Sequence, residues 1–189
     1  MTKKEIKDIL VKTEVIQDGH FVLSSGRHAD TYMQCAKVLQ YPEHAAKLAA
    51  EIAAKWEDEE IDLVIGPALG GVVLSYAAAE VLGVRSIFSE RKNGEMKIRR
   101  GFEIKDGERV LVVEDVVTTG GSVKEVLSLL EEMDIDIVGI SSIVDRSGGK
   151  ADFNHEFKPL LALDIKSYKA NKCDLCKEGI PITRPGSKA

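Results

Sequence analysis

Residues Val110 to Ser122 read VLVVEDVVTTGGS: four aliphatic residues run into an acidic pair, Glu114-Asp115, and then past Val116 and Val117 into Thr118-Thr119-Gly120-Gly121-Ser122. Val110 to Val113 predict a buried strand, with the carboxylates at its C-terminal end and the small residues turning into a helix N-terminus. Such a turn offers backbone N–H groups and hydroxyls to an anion, and the helix dipole favours negative charge there. Glycine at 120 and 121 removes Cβ atoms where the backbone must approach a ligand or take a positive φ. No lysine follows the glycines, so this is not a nucleoside-triphosphate loop, and GxGxxG is absent. What remains is a monophosphate cradle behind two carboxylates, which can accept hydrogen bonds from vicinal hydroxyls such as those of ribose. An ordinary strand-to-helix connection capped by small polar residues has a similar composition. The acidic pair on an aliphatic strand is what favours the phosphate.

Outward from this stretch the same unit recurs. IDLVIGPALGG gives an aliphatic strand over Ile61 to Ile65, a Gly/Pro loop and a helix over Val72 to Leu82; VRSIF and IVGISSIVDRSGG give further strands. Pro42 to Trp56 is Ala-rich, with Leu48, Ala49 and Ile52 on one side, and predicts a helix that Pro opens. After Gly121, Val123, Val126, Leu127 and Leu130 fall at helical spacing. Short aliphatic strands alternating with helices predict an α/β fold, a mainly parallel central sheet flanked by helices, with ligands at the strand C-termini. Before it, an amphipathic segment with Ile6, Ile9 and Leu10 gives way to HFVLSSGRHADTYMQCAKVL, which suits short strands. One domain is expected over residues 1–189: a small N-terminal hood over about 1–40, joined by C-terminal parts, a core over about 42–166, and a polar tail over 168–189.

The chain has 189 residues, 44% hydrophobic, and a net charge of −5, so a core is affordable and a general nucleic-acid footprint is missing. No apolar run nears the roughly 20 residues of a membrane span, and MTKKEIKDIL has no apolar signal core. A soluble, cytoplasmic protein with neither nucleic-acid nor membrane partners is the expectation. Cys35, Cys173 and Cys176 do not make a disulfide framework.

VVEDVVTTGGS resembles the phosphoribosyl-diphosphate signature of the type I phosphoribosyltransferases, and its Glu-Asp start looks most like the orotate phosphoribosyltransferase family. HFVLSSGRHADTYMQCAK is similar to that family's hood, IGPALGGVVLSY to its diphosphate loop and IVDRSGG to its distal substrate strand, in matching order over Phe21 to Gly149. The resemblance implies transfer of 5-phosphoribosyl from its diphosphate to orotate, in pyrimidine nucleotide biosynthesis. It implies Mg²⁺ held mainly by substrate, with no dedicated protein metal cage, and a homodimer with a loop shared across the interface. Glu114 to Ser122 would bind phosphoribosyl diphosphate, with Asp115 and Glu114 on the sugar.

RKNGEMKIRR, Arg91 to Arg100, holds five cations and one anion in an otherwise acidic chain. Around Gly94 it suits a mobile loop that closes over a diphosphate, or a solvated hairpin tip. The resemblance places Arg91 and Lys92 on the leaving diphosphate of the partner subunit's site; for the family's further Lys and His, this chain has Lys97 and no His. Two more departures are Ser24, where the family often has Lys, and Leu69-Gly70, where it has Tyr-Lys; diphosphate contacts there would come from backbone N–H groups. Tyr32 and Arg146 are expected around the base, since a planar pyrimidine carboxylate suits an aromatic face and a bidentate guanidinium. A half-buried core Tyr32 and an Arg146–Asp145 ion pair are the plainer alternatives. The family match adds Met33 and Thr118.

Other readings use the same residues: a purine phosphoribosyltransferase, which has no need of Arg146 for a carboxylate, or a regulatory sensor of phosphoribosyl diphosphate. CDLC offers half of a tetrahedral zinc site, which His155 or a partner chain's cysteines would have to complete; His20 and His28 carry no signal of their own.

Overall fold

The computed structural model describes residues 1–23 and 25–184. Along the chain lie α1 (Lys3–Lys12), β1 (Ile16–Val22), β2 (His28–Met33), α2 (Ala36–Leu39), α3 (Pro42–Ala54), β3 (Leu63–Pro67), α4 (Gly70–Leu82), β4 (Arg85–Lys92), β5 (Glu95–Ile98), β6 (Arg109–Val117), α5 (Gly121–Leu130), β7 (Asp136–Asp145), β8 (Phe157–Ala162) and the short α6 (Asp174–Lys177). Six strands form one sheet in the order β5-β4-β3-β6-β7-β8, parallel except for β5 against β4. The expected mainly parallel sheet flanked by helices is what forms.

Successive side chains of a strand point to opposite faces, and the central strands use both. Leu63, Ile65, Val110 and Val112 pack on one face with Val123, Val126, Leu127 and Leu130 of α5. Val64, Leu111 and Val113 pack on the other with Leu48 and Ile52 of α3 and Leu74 and Ala78 of α4. Both faces are covered, so the strands read as continuous aliphatic runs rather than alternating ones. Trp56 fills the space over β7: its indole Nε1 donates to Ser141 Oγ at 2.8 Å. Any Cβ at Gly139 would meet its ring.

Two expectations shift. β6 does not end before the carboxylates but carries them and runs on to Val117, because β7 is long enough to pair with it as far as Val117↔Asp145. α4 begins two residues earlier than Val72, at Gly70. Of the two readings of the basic segment, the hairpin forms: β4 and β5 pair antiparallel from Ser89↔Ile98 to Lys92↔Glu95, around Asn93 and Gly94 with φ of 56° and 87°. Two consecutive positive-φ residues are the hairpin turn that matches strand twist, and Asn-Gly favours it.

β1 and β2 form a separate antiparallel hairpin, the hood. The tail docks onto it. Val22 N–H donates to the Thr183 carbonyl (3.0 Å), Thr183 N–H to that of His20 (2.7 Å), and His28 and Tyr168 exchange both backbone hydrogen bonds (2.8 and 2.7 Å). Arg27 Nε also donates to Ser167 Oγ at 2.8 Å. Residues 168–184 are therefore the outer layer of the hood rather than a free extension.

Candidate active site

From β3 the chain crosses through α4 to β4, and from β6 through α5 to β7, so the sheet order reverses between β3 and β6. In such sheets the crevice between the two diverging loops is where ligands bind. The loop before α4 and the loop before α5 form its two sides, and Glu114 and Asp115 stand between them.

Glu114 is 8% exposed, and Asp115 is half-buried. Asp115 N–H donates to Glu114 Oε1 (3.0 Å), and Val116 N–H donates to Asp115 Oδ1 (2.8 Å). Burial lifts the Glu114 carboxyl above its usual range, and the neighbouring Asp115 charge adds to this; burial also lifts Asp115. Nearby Arg91 pulls the other way on Glu114. The pair thus lies in a desolvated setting that a hydroxyl-rich or cationic ligand would relieve. Gly70 and Gly71, at the start of α4, are what let it fit: a Cβ at Gly70 would strike the Asp115 carboxylate, and one at Gly71 would lie 3.2 Å from Glu114 Oε1.

The second loop is a cradle. Gly120 takes φ 78° as the residue before α5, with Phe153 packed where its Cβ would stand. No side chain caps α5, so the N–H groups of its first turn keep their free donor positions. Glu114 and Val116 to Val123 line a small cleft of about 70 Å³, with Thr118 and Thr119 exposed at its rim. The start of α4 is likewise uncapped by any side chain.

The hairpin cations are distributed. Arg91 forks onto Glu125 of α5 and reaches toward Ser122 Oγ (3.5 Å) of the cradle in its own chain. Lys92 is exposed beside the turn. Lys97 pairs with Glu95 (2.8 Å) and lines a separate cleft of about 460 Å³ with Met96, Leu129 and Met133. Arg99 and Arg100 both pair with Glu90. Ser24 lies outside the described residues.

On the base side, Arg146 follows β7 and is half-buried, its N–H donating to the Val117 carbonyl at 2.7 Å. The Asp145 carboxylate accepts from Ser147 N–H (2.8 Å), and no Arg146–Asp145 ion pair is present among the described residues. Tyr32 is half-buried, its ring 5.6 Å from that of Phe21 and its hydroxyl donating to Gln34 Oε1 (3.0 Å). Met33 points into the core with Ile6, Leu10 and Val38. Cys35 was not anticipated: it is buried near Asp115, Arg146 and Glu114, and burial, with the Asp115 charge, lifts its thiol well above the usual range.

A second unanticipated group lies in the hood. His155 does not complete CDLC; it faces Glu131 at 3.4 Å. Cys173 and Cys176 instead meet His20 and His28. The sequence signal was two histidines eight apart on a short hairpin, together with CxxC.

Residues 36–171 match the family model described as phosphoribosyl transferase domain. An orotate phosphoribosyltransferase of Caldanaerobacter subterraneus is 54% identical over all of this chain and 99% of its own length. That of Thermotoga maritima is 52% identical over 97% and 98%. Among solved structures, Mycobacterium tuberculosis orotate phosphoribosyltransferase with inorganic phosphate aligns with a TM-score of 0.71 at 24% identity, over 85% of this chain and 95% of that one. With full-length identity above one half and a crevice built on the acidic pair and the TTGGS cradle, the chain belongs to the phosphoribosyltransferases, in the orotate phosphoribosyltransferase family.

Proposed function

We propose that this chain transfers the 5-phosphoribosyl group from 5-phosphoribosyl 1-diphosphate to N1 of orotate, giving orotidine 5′-monophosphate and diphosphate in pyrimidine nucleotide biosynthesis. The observation that carries this is the uncapped N-terminus of α5, directly after the buried Glu114-Asp115 pair at the point where the sheet order reverses. The 5-phosphate takes the N–H groups and hydroxyls of Thr118 to Ser122, and the ribose hydroxyls take Glu114 and Asp115. The diphosphate lies toward the start of α4, where backbone N–H groups of Leu69 and Gly70 receive it.

The bond from C1′ to the diphosphate oxygen breaks with its electron pair going to the diphosphate, and N1 of orotate bonds to C1′, its proton passing to the released diphosphate or to solvent. Positive charge builds on the ribose ring between these events, and Asp115 and Glu114 stand where they stabilise it. Arg91 and Lys92 neutralise the leaving group, Arg91 by exchanging Glu125 for the diphosphate, and Lys97 is the weaker candidate because it matches the family's further Lys and His only in part. Arg146, Tyr32 and Thr118 hold the base, Arg146 by its guanidinium on the orotate carboxylate, while Met33, packed into the core, only supports the hairpin behind Tyr32. The donor set suits Mg²⁺ without a cage: Glu114 Oε1 and Asp115 Oδ1 accept neighbouring backbone N–H groups, which leaves carboxylate oxygens for hydroxyls or metal-bound waters. Bound with the diphosphate, Mg²⁺ supplies further neutralisation of the leaving group. A homodimer sharing the hairpin is supported by the family resemblance.

The test is ultraviolet absorbance of orotate mixed with the protein, phosphoribosyl diphosphate and Mg²⁺, beside cuvettes with hypoxanthine, adenine and uracil. Loss of the orotate signal when every component is present is expected. Consumption of a purine instead, or of no base, would overturn the substrate assignment.

A further inference from the structure

His20 of β1, His28 of β2, and Cys173 and Cys176 of the tail bring four ligand atoms within 4.8 Å of one another, away from the crevice. His20, His28 and Cys173 are buried, at 2%, 6% and 1% exposure, and Cys176 closes the group on its solvent side. From this arrangement we infer that the hood holds a structural zinc ion, ligated by His20 Nε2, His28 Nδ1, Cys173 Sγ and Cys176 Sγ.

The distances suit the ion. With Zn–N near 2.0–2.1 Å and Zn–S near 2.3 Å, tetrahedral geometry sets N–S separations at about 3.5 Å and N–N at about 3.3 Å. Both cysteine sulfurs lie at that N–S distance from His20 Nε2, 3.5 and 3.6 Å, and Cys176 Sγ is 3.3 Å from His28 Nδ1. The two imidazole nitrogens, 2.8 Å apart, need to separate by about half an ångström to admit the ion. The outer shell is in place for one ligand: His20 Nδ1 lies 2.8 Å from the Ile180 carbonyl, so that nitrogen carries the proton and Nε2 presents its lone pair to the centre. Two nitrogens and two sulfurs with no open position make a closed set, which is the pattern of a structural site rather than a catalytic one.

The fold has a use for such a clamp. The tail reaches the hood through a few backbone hydrogen bonds; α6 has four residues, and Ile180 and Ile182 are exposed. That is too little apolar burial to fix a segment of this length, and a metal tying two tail ligands to two hairpin ligands supplies what the core does not. The clamped hairpin is also the one that carries Tyr32 and Met33 at its far end.

The experiment is metal analysis of the full chain purified without metal-affinity steps. About one zinc per chain is expected, retained in His155→Ala and lost in Cys176→Ser. Chelation should lower Tm, and zinc should restore it. Zinc-free protein whose Tm responds to neither chelator nor zinc overturns the site, as does zinc that survives Cys176→Ser. If the serine variant does not fold, cobalt exchanged into the unmodified chain decides. The strong visible bands of tetrahedral cobalt with thiolate charge transfer support the site, and the weak bands of octahedral cobalt overturn it.

Discussion

Arg91, near the end of β4, forks onto Glu125 of α5, with Nε 3.0 Å and Nη2 2.9 Å from the two carboxylate oxygens. This ties the hairpin to the helix whose N-terminus is the proposed phosphate cradle. Both partners are nearly half exposed, at 46% and 41%, so the pair contributes at most about 1 kcal/mol to stability. Arg91→Ala should therefore move Tm by no more than about 4 °C, while turnover falls by about 10²-fold or more, as for loss of one preorganised charge at a leaving group. Lys92→Ala should likewise lower turnover far more than phosphoribosyl diphosphate binding. Calorimetric titration beside steady-state kinetics separates the two quantities; unchanged turnover in both variants would remove the hairpin from the reaction.

Gly70 makes a sharper demand. A Cβ there meets the Asp115 carboxylate, so Gly70→Ala must push either the start of α4 or Asp115 out of place. Because α4 packs through Leu74 and Ala78 into the core, the side chain of Asp115 is the softer partner. The expected outcome is a soluble protein whose affinity for phosphoribosyl diphosphate drops at least about tenfold, equivalent to about 1.4 kcal/mol. Gly66→Ala should be worse and structural, since its Cβ would press on backbone atoms of Gly71 and Val113. Equal affinity in Gly70→Ala and the parent chain, read by titration, would show that Asp115 does not need its present position.

These two sites also mark how far the sequence could be read. The strands, the α5 face and the turn of small residues into α5 were legible because each is local: aliphatic runs, helical spacing, and small residues after an acidic pair. The role of Gly70 as clearance for Asp115 was not, since it depends on the start of α4 and the end of β6, 45 positions apart, meeting at one crevice. For Arg91 to Arg100 the charge run allowed both a mobile loop and a hairpin tip, and Asn93-Gly94, its strongest local turn signal, marks the hairpin that forms. The hood ligands escaped for the first of these reasons: His20 and Cys173 are neighbours in space but separated by 153 residues.

The acidic pair predicts a pH dependence. Glu114 and Asp115 titrate above their ordinary values of about 4.5 and 3.8 when folded, chiefly through burial. Below those values both states hold the protons, and stability is unaffected. As pH rises past them the unfolded chain releases its protons first, so the folded chain binds more, and stability falls with pH until the folded carboxyls ionise in turn. Each group lowers stability by at most about 1.4 kcal/mol per pH unit across that window. Thermal melts of the unliganded protein between about pH 5 and pH 8 should show Tm declining, and Glu114→Gln should decline less steeply. Parallel slopes for parent and variant would mean that Glu114 is not held protonated.

In the proposed reaction, Arg146 is the residue on which the choice of base rests. It follows β7 directly, its backbone is fixed to Val117, and its guanidinium is free of Asp145, whose carboxylate is taken by Ser147 N–H. A charge-assisted pair with the orotate carboxylate contributes about 1.5–3 kcal/mol, so Arg146→Ala should raise the orotate KM by about 10- to 100-fold. The affinity for phosphoribosyl diphosphate should stay level, because the site proposed for that ligand lies on β6 and α5. Arg146→Lys keeps the charge but loses the planar fork, so it should recover only part of the loss. Uracil, which lacks the carboxylate, supplies the control: its poor use should be indifferent to Arg146→Ala. If the orotate KM and the uracil rate shift together, Arg146 shapes the pocket as a whole and the carboxylate contact is not its role.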